Sequence, residues 1–252
     1  MGYDPGEASD ELLRAVMAAA EPYGDEAVHE IAAACRNDTL SQLEVLARET
    51  RREGSRVRVS ASDVVRRRIT EEIDRSSSPW ERARKAASIA REVWNLDGPL
   101  PTRVLSDLFE LSASELAEGG AHRAGKLSAA FRYRNDPASM LVSWNTRSPA
   151  GRRFLLARLV ADHLASRLEE VLLPATKVTT SRQQFQRAFA QEFLCPYHSL
   201  KEMIDTDAPD EDDIEYAADH FDVSTWVVVC TLVNNRALPR EALVDWGVSL
   251  AV

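Results

Sequence analysis

Apolar residues recur at every third or fourth position along most of the chain, which is the period of amphipathic helices. Before residue 75 this period predicts four helices, over residues 8–20, 24–36, 38–53 and 62–74. Beyond residue 78 it predicts further helices, over about 79–94, 102–110, 149–169, 181–194, 211–220 and 225–234. We therefore expect a mostly helical protein.

A different pattern surrounds the turn-forming residues 135–137. Phe131-Arg132-Tyr133-Arg134 alternates between apolar and polar residues, and Met140-Leu141-Val142-Ser143-Trp144 forms a second apolar run. Two such runs separated by a short turn are typical of an antiparallel hairpin, with Pro137 confined to the turn. The expected class is α+β, mostly helical with one small antiparallel sheet.

The helical pattern is interrupted at Arg75-Ser76-Ser77-Ser78. Polar breaks of this kind separate structural units. We therefore predict a helical N-terminal region over residues 1–75, whose role the sequence does not indicate, and a second domain over residues 76–252.

Composition narrows the class of protein. The chain has 252 residues, a formal net charge of −9 and 44% hydrophobic residues, which is typical of a soluble globular protein. Its longest uninterrupted apolar run, Ala15–Ala20, is far too short to cross a membrane. The first residues lack the features of a secretion signal, so we expect a cytoplasmic protein. The three cysteines form no CxxC pair, which disfavours a disulfide framework or a cysteine zinc site.

Charge is unevenly distributed. Residues 51–91 carry twelve Lys and Arg against six Asp and Glu, but Trp80 is the single aromatic residue among them, so we expect a solvated basic face instead of a nucleic-acid contact. The helix, turn and helix over residues 211–234 are acidic, and Trp226–Val229 gives the second helix an apolar surface. A DNA-reading helix needs Arg, Asn or Gln there, so packing is the expected role.

Several segments together resemble the domain of the bacterial ImmA/IrrE metallopeptidases. They are Pro79-Trp80-Glu81-Arg82-Ala83 with Gly98-Pro99-Leu100, Gly151–Ala157, Arg187–Pro196 and Phe221–Ser224. The resemblance implies a zincin-like α+β fold in which a long helix supplies two zinc-binding histidines and a catalytic glutamate. The next helix supplies a glutamate ligand. It also implies association with repressors of mobile elements or stress genes, which active members cleave.

The four functional positions of that family are occupied differently here. Arg158 stands at the first histidine, Leu159 at the catalytic glutamate, Asp162 at the second histidine and Gln183 at the glutamate ligand. A zinc hydrolase needs about three anionic or neutral-histidine ligands and a base that takes a proton from water. Arginine cannot be deprotonated in a protein, and leucine is no base. We therefore predict no cofactor and no catalytic residue.

Arg158 and Asp162 lie four residues apart, so their side chains can contact each other on one helix. A helical wheel places both among apolar residues and places Arg152, His163, Arg167 and Glu170 in a solvent-facing stripe. Our hypothesis is that the Arg158 guanidinium occupies the place where relatives hold zinc, with Asp162 and Gln183 as its partners. The alternatives are a surface salt bridge between Arg158 and Asp162, and a Gln183 that only completes a capping box with Thr180.

Three functions remain open. The first is a metal-free pseudo-peptidase that regulates by binding a protein, for instance a helix-turn-helix repressor. The candidate peptide site is then the strand of Met140, Leu141, Val142, Ser143 and Trp144, expected at a sheet edge. The second is an active zinc endopeptidase with a rearranged ligand set from Asp162, His198 and His220. The third is a structural helical oligomerisation module.

Overall fold

Helices and four short strands form the described part of the chain. The computed structural model describes residues 10–35, 38–117, 127–206 and 208–245. The first elements are α1 (Asp10–Tyr23), α2 (Asp25–Ala34), α3 (Thr39–Glu53), β1 (Ser55–Arg58) and α4 (Ser62–Glu72). Next come α5 (Pro79–Val93), α6 (Thr102–Leu108), α7 (Ala113–Ala117), β2 (Ser128–Arg132), β3 (Ser139–Ser143), α8 (Pro149–Ala165), β4 (Leu172–Ala175) and α9 (Ser181–Leu194). The last are α10 (Tyr197–Met203), α11 (Glu211–Phe221), α12 (Thr225–Asn234) and α13 (Ala242–Asp245).

The predicted class is confirmed: the fold is α+β, mostly helical, with one antiparallel sheet. The predicted helices are present with shifted ends, and α8 stops at Ala165, short of the predicted residue 169. Residues 8, 9 and 36 of the predicted helices lie outside the described residues. Among the described residues, no helix combines the length and apolar character that a membrane crossing needs.

The sheet has the strand order β1-β3-β2-β4, with every neighbouring pair antiparallel. The predicted hairpin is confirmed as β2 and β3, in which Ala130 lies opposite Val142. The sequence pattern did not predict β1 or β4. β1 has four residues of which only Val57 is buried, and β4 is buried throughout, so neither shows a recognisable alternation.

The predicted boundary between residues 75 and 76 stays a prediction. The hydrogen-bonded sheet takes strands from both sides of it, because β1 precedes the boundary and pairs with β3. Val57 lies opposite Met140, and both side chains are fully buried in the same apolar cluster.

Two apolar clusters hold the elements together. The larger one packs α5, α8, α9 and α12 against one another and includes Leu156, Phe189 and Leu232. The smaller one lies between α2, α3 and the sheet and includes Ile31, Leu43 and Leu172. Helix α8 contacts strands β2 and β4 as well as helices α4, α5, α7 and α9. It is buried around most of its circumference, as expected for a central helix that is apolar on several faces.

The predicted solvent stripe of α8 is wrong at three of its four positions. Arg152, His163 and Glu170 are buried, and only Arg167 is exposed. The wheel failed because other elements cover these positions: the Thr146 and Glu115 carbonyl oxygens engage Arg152, the start of α2 engages Glu170, and α4 and β2 cover His163. Arg66 of α4 and Arg132 of β2 both donate to the carbonyl oxygen of His163, where the last turn of α8 leaves its carbonyls without helical partners.

The N-terminal end of α8 is held by Arg153, whose side chain is fully buried. Its Nε donates to the Asp222 carbonyl oxygen at 2.8 Å, and its Nη2 donates to the Leu100 carbonyl oxygen at 2.5 Å. Its Nη1 donates to Thr102 Oγ1 at 3.1 Å and forms an ion pair with Asp222 Oδ2 at 3.0 Å. One guanidinium therefore joins α8, the start of α6 and the turn between α11 and α12.

We expect Arg153→Lys to lower the free energy of unfolding by about 2–4 kcal/mol, because a lysine cannot supply the three-sided fork that these acceptors need. Urea denaturation measures the change. Arg147→Lys, at an exposed position just before α8, serves as the control and should stay within about 0.5 kcal/mol of the native chain. Equal effects of the two substitutions would contradict the anchoring role of Arg153.

Candidate functional site

The candidate site is a polar cluster between α8, α9 and the outer edge of β4. Arg158, Leu159 and Asp162 lie on α8, and Gln183 lies in the first turn of α9. The Arg158 guanidinium contacts the Gln183 side chain directly, with Nη2 donating to Oε1 at 2.5 Å. The expected pairing of Arg158 with Gln183 is therefore confirmed. These two residues align with zinc-ligand positions of the resembled family, and here their side chains are in contact.

The side chain of Gln183 does not complete a capping box with Thr180. Its backbone N–H donates to Thr180 Oγ1 at 3.2 Å, so Thr180 caps α9 as expected. The Gln183 side chain is fully buried and turns away from Thr180, towards Arg158 and β4. The backbone of Gln183 thus takes part in the helix cap, and its side chain makes the inward contact with Arg158.

The expected pair between Arg158 and Asp162 is wrong. Asp162 is buried, as the hypothesis required, but its carboxylate pairs with Arg182 of α9. Arg182 Nε donates to Oδ1 at 2.8 Å and Nη2 donates to Oδ2 at 2.8 Å, which is the two-pronged geometry that arginine favours. The spacing of four residues on one helix made Arg158 the obvious partner, whereas Arg182 depends on how α9 packs on α8.

Gln186 connects the two halves of the cluster and was not identified from the sequence. Its Oε1 accepts from Arg158 Nη2 at 3.2 Å, and its Nε2 donates to Asp162 Oδ2 at 3.0 Å. One signal was available, because Gln183 and Gln186 are three residues apart and therefore lie on the same face of α9. Two buried amides on one helix face need polar partners across the interface.

The same side chains occupy the outer edge of β4. Gln183 accepts from the Thr176 N–H at 2.9 Å and donates to the Pro174 carbonyl oxygen at 2.9 Å, so its amide bonds to the edge as a neighbouring strand would. Gln186 also donates to the Pro174 carbonyl oxygen, at 3.1 Å, and Arg158 donates to the Thr176 carbonyl oxygen at 2.8 Å. These side chains satisfy the edge groups of residues 174–176.

The N-terminal region contributes charge to the cluster. Glu30 of α2 is buried and accepts a hydrogen bond from Thr180 Oγ1 at 2.7 Å, next to the start of α9. Burial above all, and then the nearby Arg187, lower the pKa of Arg158, while Asp162 and Glu30 raise it, and the net result is a pKa of about 10. A pKa near 10 keeps Arg158 charged at neutral pH. The Arg158 and Arg182 cations are therefore offset by the Asp162 and Glu30 carboxylates.

The cluster does not fit the zinc ion that the resemblance implies. Its central group is a guanidinium, which cannot donate a lone pair, and Leu159 is a fully buried hydrocarbon at the position of the base. Among the described residues, no group of three or more His, Cys, Asp or Glu is arranged to hold a metal ion.

The rearranged ligand set is not brought together. His198 is exposed and faces Glu202, with Nε2 lying 3.3 Å from Oε1, and His220 is exposed on α11. Asp162 is buried between α8 and α9, where Arg182 and Gln186 engage its carboxylate.

The expected position of the candidate peptide site at a sheet edge is also wrong. Met140, Leu141, Val142 and Ser143 belong to β3, which pairs with β1 on one side and β2 on the other, and Trp144 follows it. An interior strand has no free edge for an added peptide. The sequence predicted only the hairpin, so the partner strand β1 that covers β3 was missed. In addition, β2 separates β3 from β4, where the polar cluster lies.

Comparison with protein-family models, with curated proteins and with solved structures finds no match to this chain.

Removing Arg182 should cost more stability than removing Arg158. We expect Arg182→Ala to lower the free energy of unfolding by about 3–5 kcal/mol, because it leaves the buried Asp162 carboxylate without its ion-pair partner. Arg158→Ala should cost about 1–2 kcal/mol, the typical cost of unsatisfied acceptors. Urea denaturation measures both, with the exposed Arg167→Ala as control. A larger loss of stability for Arg158→Ala than for Arg182→Ala would instead indicate that Arg158 is the ion-pair partner of Asp162.

A second prediction concerns His163, which is fully buried beside Arg132, with Arg132 Nε lying 3.4 Å from Nδ1. Burial, together with Arg132 and Arg66, lowers the pKa of His163 well below its usual value of 6.5. Below pH 6.5 His163 binds a proton in the unfolded chain but not in the folded chain, so acid favours unfolding. Stability should therefore fall as the pH drops below 6.5, by up to about 1.4 kcal/mol per pH unit from this residue.

His163→Asn keeps a hydrogen-bond acceptor and does not titrate, so it isolates this contribution. Urea denaturation at several pH values between 7 and 5 should give a shallower loss of stability for the variant than for the native chain. Identical slopes would mean that His163 takes up its proton over the same pH range in the folded and unfolded chains, which would contradict the lowered pKa.

Proposed function

We propose that this chain is a metal-free relative of the ImmA/IrrE peptidases, a cytoplasmic regulator that acts by binding a protein. The observation that carries the proposal is the 2.5 Å contact between Arg158 Nη2 and Gln183 Oε1. In the resembled family these two positions hold zinc ligands. Here a fixed positive group and a neutral amide stand at them instead.

The chemistry of the cluster supports binding over hydrolysis. Peptide hydrolysis by a zinc enzyme needs an activated water and a base to take its proton. Leu159 replaces that base, and the Asp162 carboxylate is engaged by Arg182 and Gln186. Both oxygens of that carboxylate are thus engaged by donors of the protein itself.

The closed edge of β4 supports the same reading. A peptidase cleft commonly holds its substrate as an extended strand, and strand addition needs free backbone groups at a sheet edge. Gln183, Gln186 and Arg158 already satisfy those groups at residues 174–176. The cluster therefore stabilises the fold, and the partner surface must lie elsewhere on the chain.

The resemblance suggests the kind of partner. Active members of the family act on repressors of mobile elements or stress genes, and a relative without the metal can retain the protein interaction after losing the cleavage. A helix-turn-helix repressor encoded beside this chain is the first partner to test.

Metal analysis tests the proposal directly. The purified chain, loaded with zinc and dialysed, should retain far less than one zinc per chain, and a chelator should leave its melting temperature unchanged. As a positive control, the fourfold variant Arg158→His, Leu159→Glu, Asp162→His, Gln183→Glu restores the family's ligand types and should gain zinc if it folds. Stoichiometric zinc in the native chain with chelator-sensitive melting would overturn the proposal.

A pull-down with the neighbouring repressor separates regulation from a purely structural role. The proposal expects the repressor to be recovered intact. Recovery of only further copies of the chain would favour the oligomerisation module, and a cleaved repressor would favour the zinc endopeptidase.

A further inference from the structure

A wide groove opens on the side of α9 away from the sheet. It has a volume of about 1080 Å³, and its walls come from the start of α5, the middle of α9, α12 and the segment 235–240 that follows α12. Pockets for small molecules occupy roughly 300–1,000 Å³, so the groove is at the upper limit of that range and is wide enough for a segment of a macromolecule. The polar cluster does not line it.

The charge of the groove is opposite to that of the chain. Four arginines line it, Arg84, Arg187, Arg236 and Arg240, and among the described lining residues Glu192 is the single acid. The whole chain, in contrast, has a net charge of −9. A local concentration of cations in an acidic protein creates a field that attracts anionic groups.

The four arginines are only partly offset by described carboxylates, because Glu192 acts on Arg84 and Glu30 acts on Arg187 from beyond ion-pair distance. Arg84 Nη1 donates to the neutral Asn235 Oδ1 at 2.7 Å, and Arg187 Nη2 donates to the Val178 carbonyl oxygen at 2.9 Å. Arg236 and Arg240 are exposed at the rim. None of the four forms an ion pair with a described carboxylate, so their charge is available to a ligand.

Apolar side chains lie between these cations. Trp80 is 52% exposed although it is one of the largest apolar residues. Trp226, Ala188 and Leu238 are half-buried along the same groove. Exposed tryptophan next to arginine is the composition that protein-binding surfaces favour at their strongest contact points.

We propose that this groove binds an acidic amphipathic segment of a partner protein, with carboxylates on the arginines and apolar side chains against Trp80 and Trp226. An amphipathic helix laid into a groove uses both kinds of contact at once. Nucleic acid fits less well, because it would have to follow a longer basic surface against the repulsion of the acidic chain. The inference does not depend on the metal-free site, so either can fail alone.

Three synthetic peptides of equal length test the groove. They share the same leucine positions and carry glutamate, glutamine or lysine at the others. Isothermal titration calorimetry at low and physiological salt should show binding of the glutamate peptide, weaker binding of the glutamine peptide and none of the lysine peptide. Binding of the glutamate peptide should weaken as salt screens the arginines.

Variants locate the site. The double substitution Arg236→Glu and Arg240→Glu changes exposed rim residues and should weaken glutamate-peptide binding at least about tenfold, because it places like charges against the ligand. Arg103→Glu, at an exposed arginine of α6 that does not line the groove, should change the affinity less than about twofold. Circular dichroism melting checks that both variants fold.

Several results would overturn the inference. The first is equal binding of all three peptides, and the second is an equal effect of the two variants. The third is binding of ATP, titrated in the same way as a small anion, without binding of any peptide. Light scattering adds another: self-association that disappears in the double variant, without peptide binding, would assign the groove to a second copy of this chain.

Discussion

The contact on which the polar centre depends is the one between a buried cation and the fixed acceptors around it. The Arg158 guanidinium can be held between helices only because Gln183, Gln186 and the Thr176 carbonyl oxygen surround its Nη2 atom. Those acceptors come from α9 and from the segment after β4. Arg158 of α8 therefore connects to both α9 and the segment after β4. A change in its charge would alter the contacts among all three elements.

The first residues of the chain are part of this arrangement. Glu30 reaches the start of α9 through Thr180, and Arg66 donates to the last carbonyl groups of α8. Carboxylates and guanidinium groups buried this deeply are stable only when paired, so the N-terminal helices must be docked for the cluster to keep its geometry. The region predicted to be separate thus acts as a structural support for the candidate site.

Sequence reasoning reached the long helices, the hairpin, the inward direction of Asp162 and the partnership of Arg158 with Gln183. The helices, the hairpin and the direction of Asp162 follow from periodicity and helical spacing, which are local, whereas the partnership of Arg158 with Gln183 came from the positions that the family resemblance implies. It missed β1 and β4, because four-residue strands carry too little pattern, and it missed Arg182 and Gln186 as partners of Asp162. Those contacts depend on how α9 is rotated against α8, which the order of residues along one helix does not specify. The burial of His163 was missed for a similar reason, since α4 and β2 cover it.

The treatment of the two sheet edges has a consequence for the protein in a crowded cell. β4 contains Pro174, which lacks an N–H, and side chains of α8 and α9 bond to the outer backbone groups of residues 174–176. β1, at the other side, is only four residues long and presents Arg56 and Arg58, both substantially exposed. Short, charged or covered edges disfavour pairing with a strand of another molecule. Both ends of this sheet thus carry features that work against edge-to-edge aggregation.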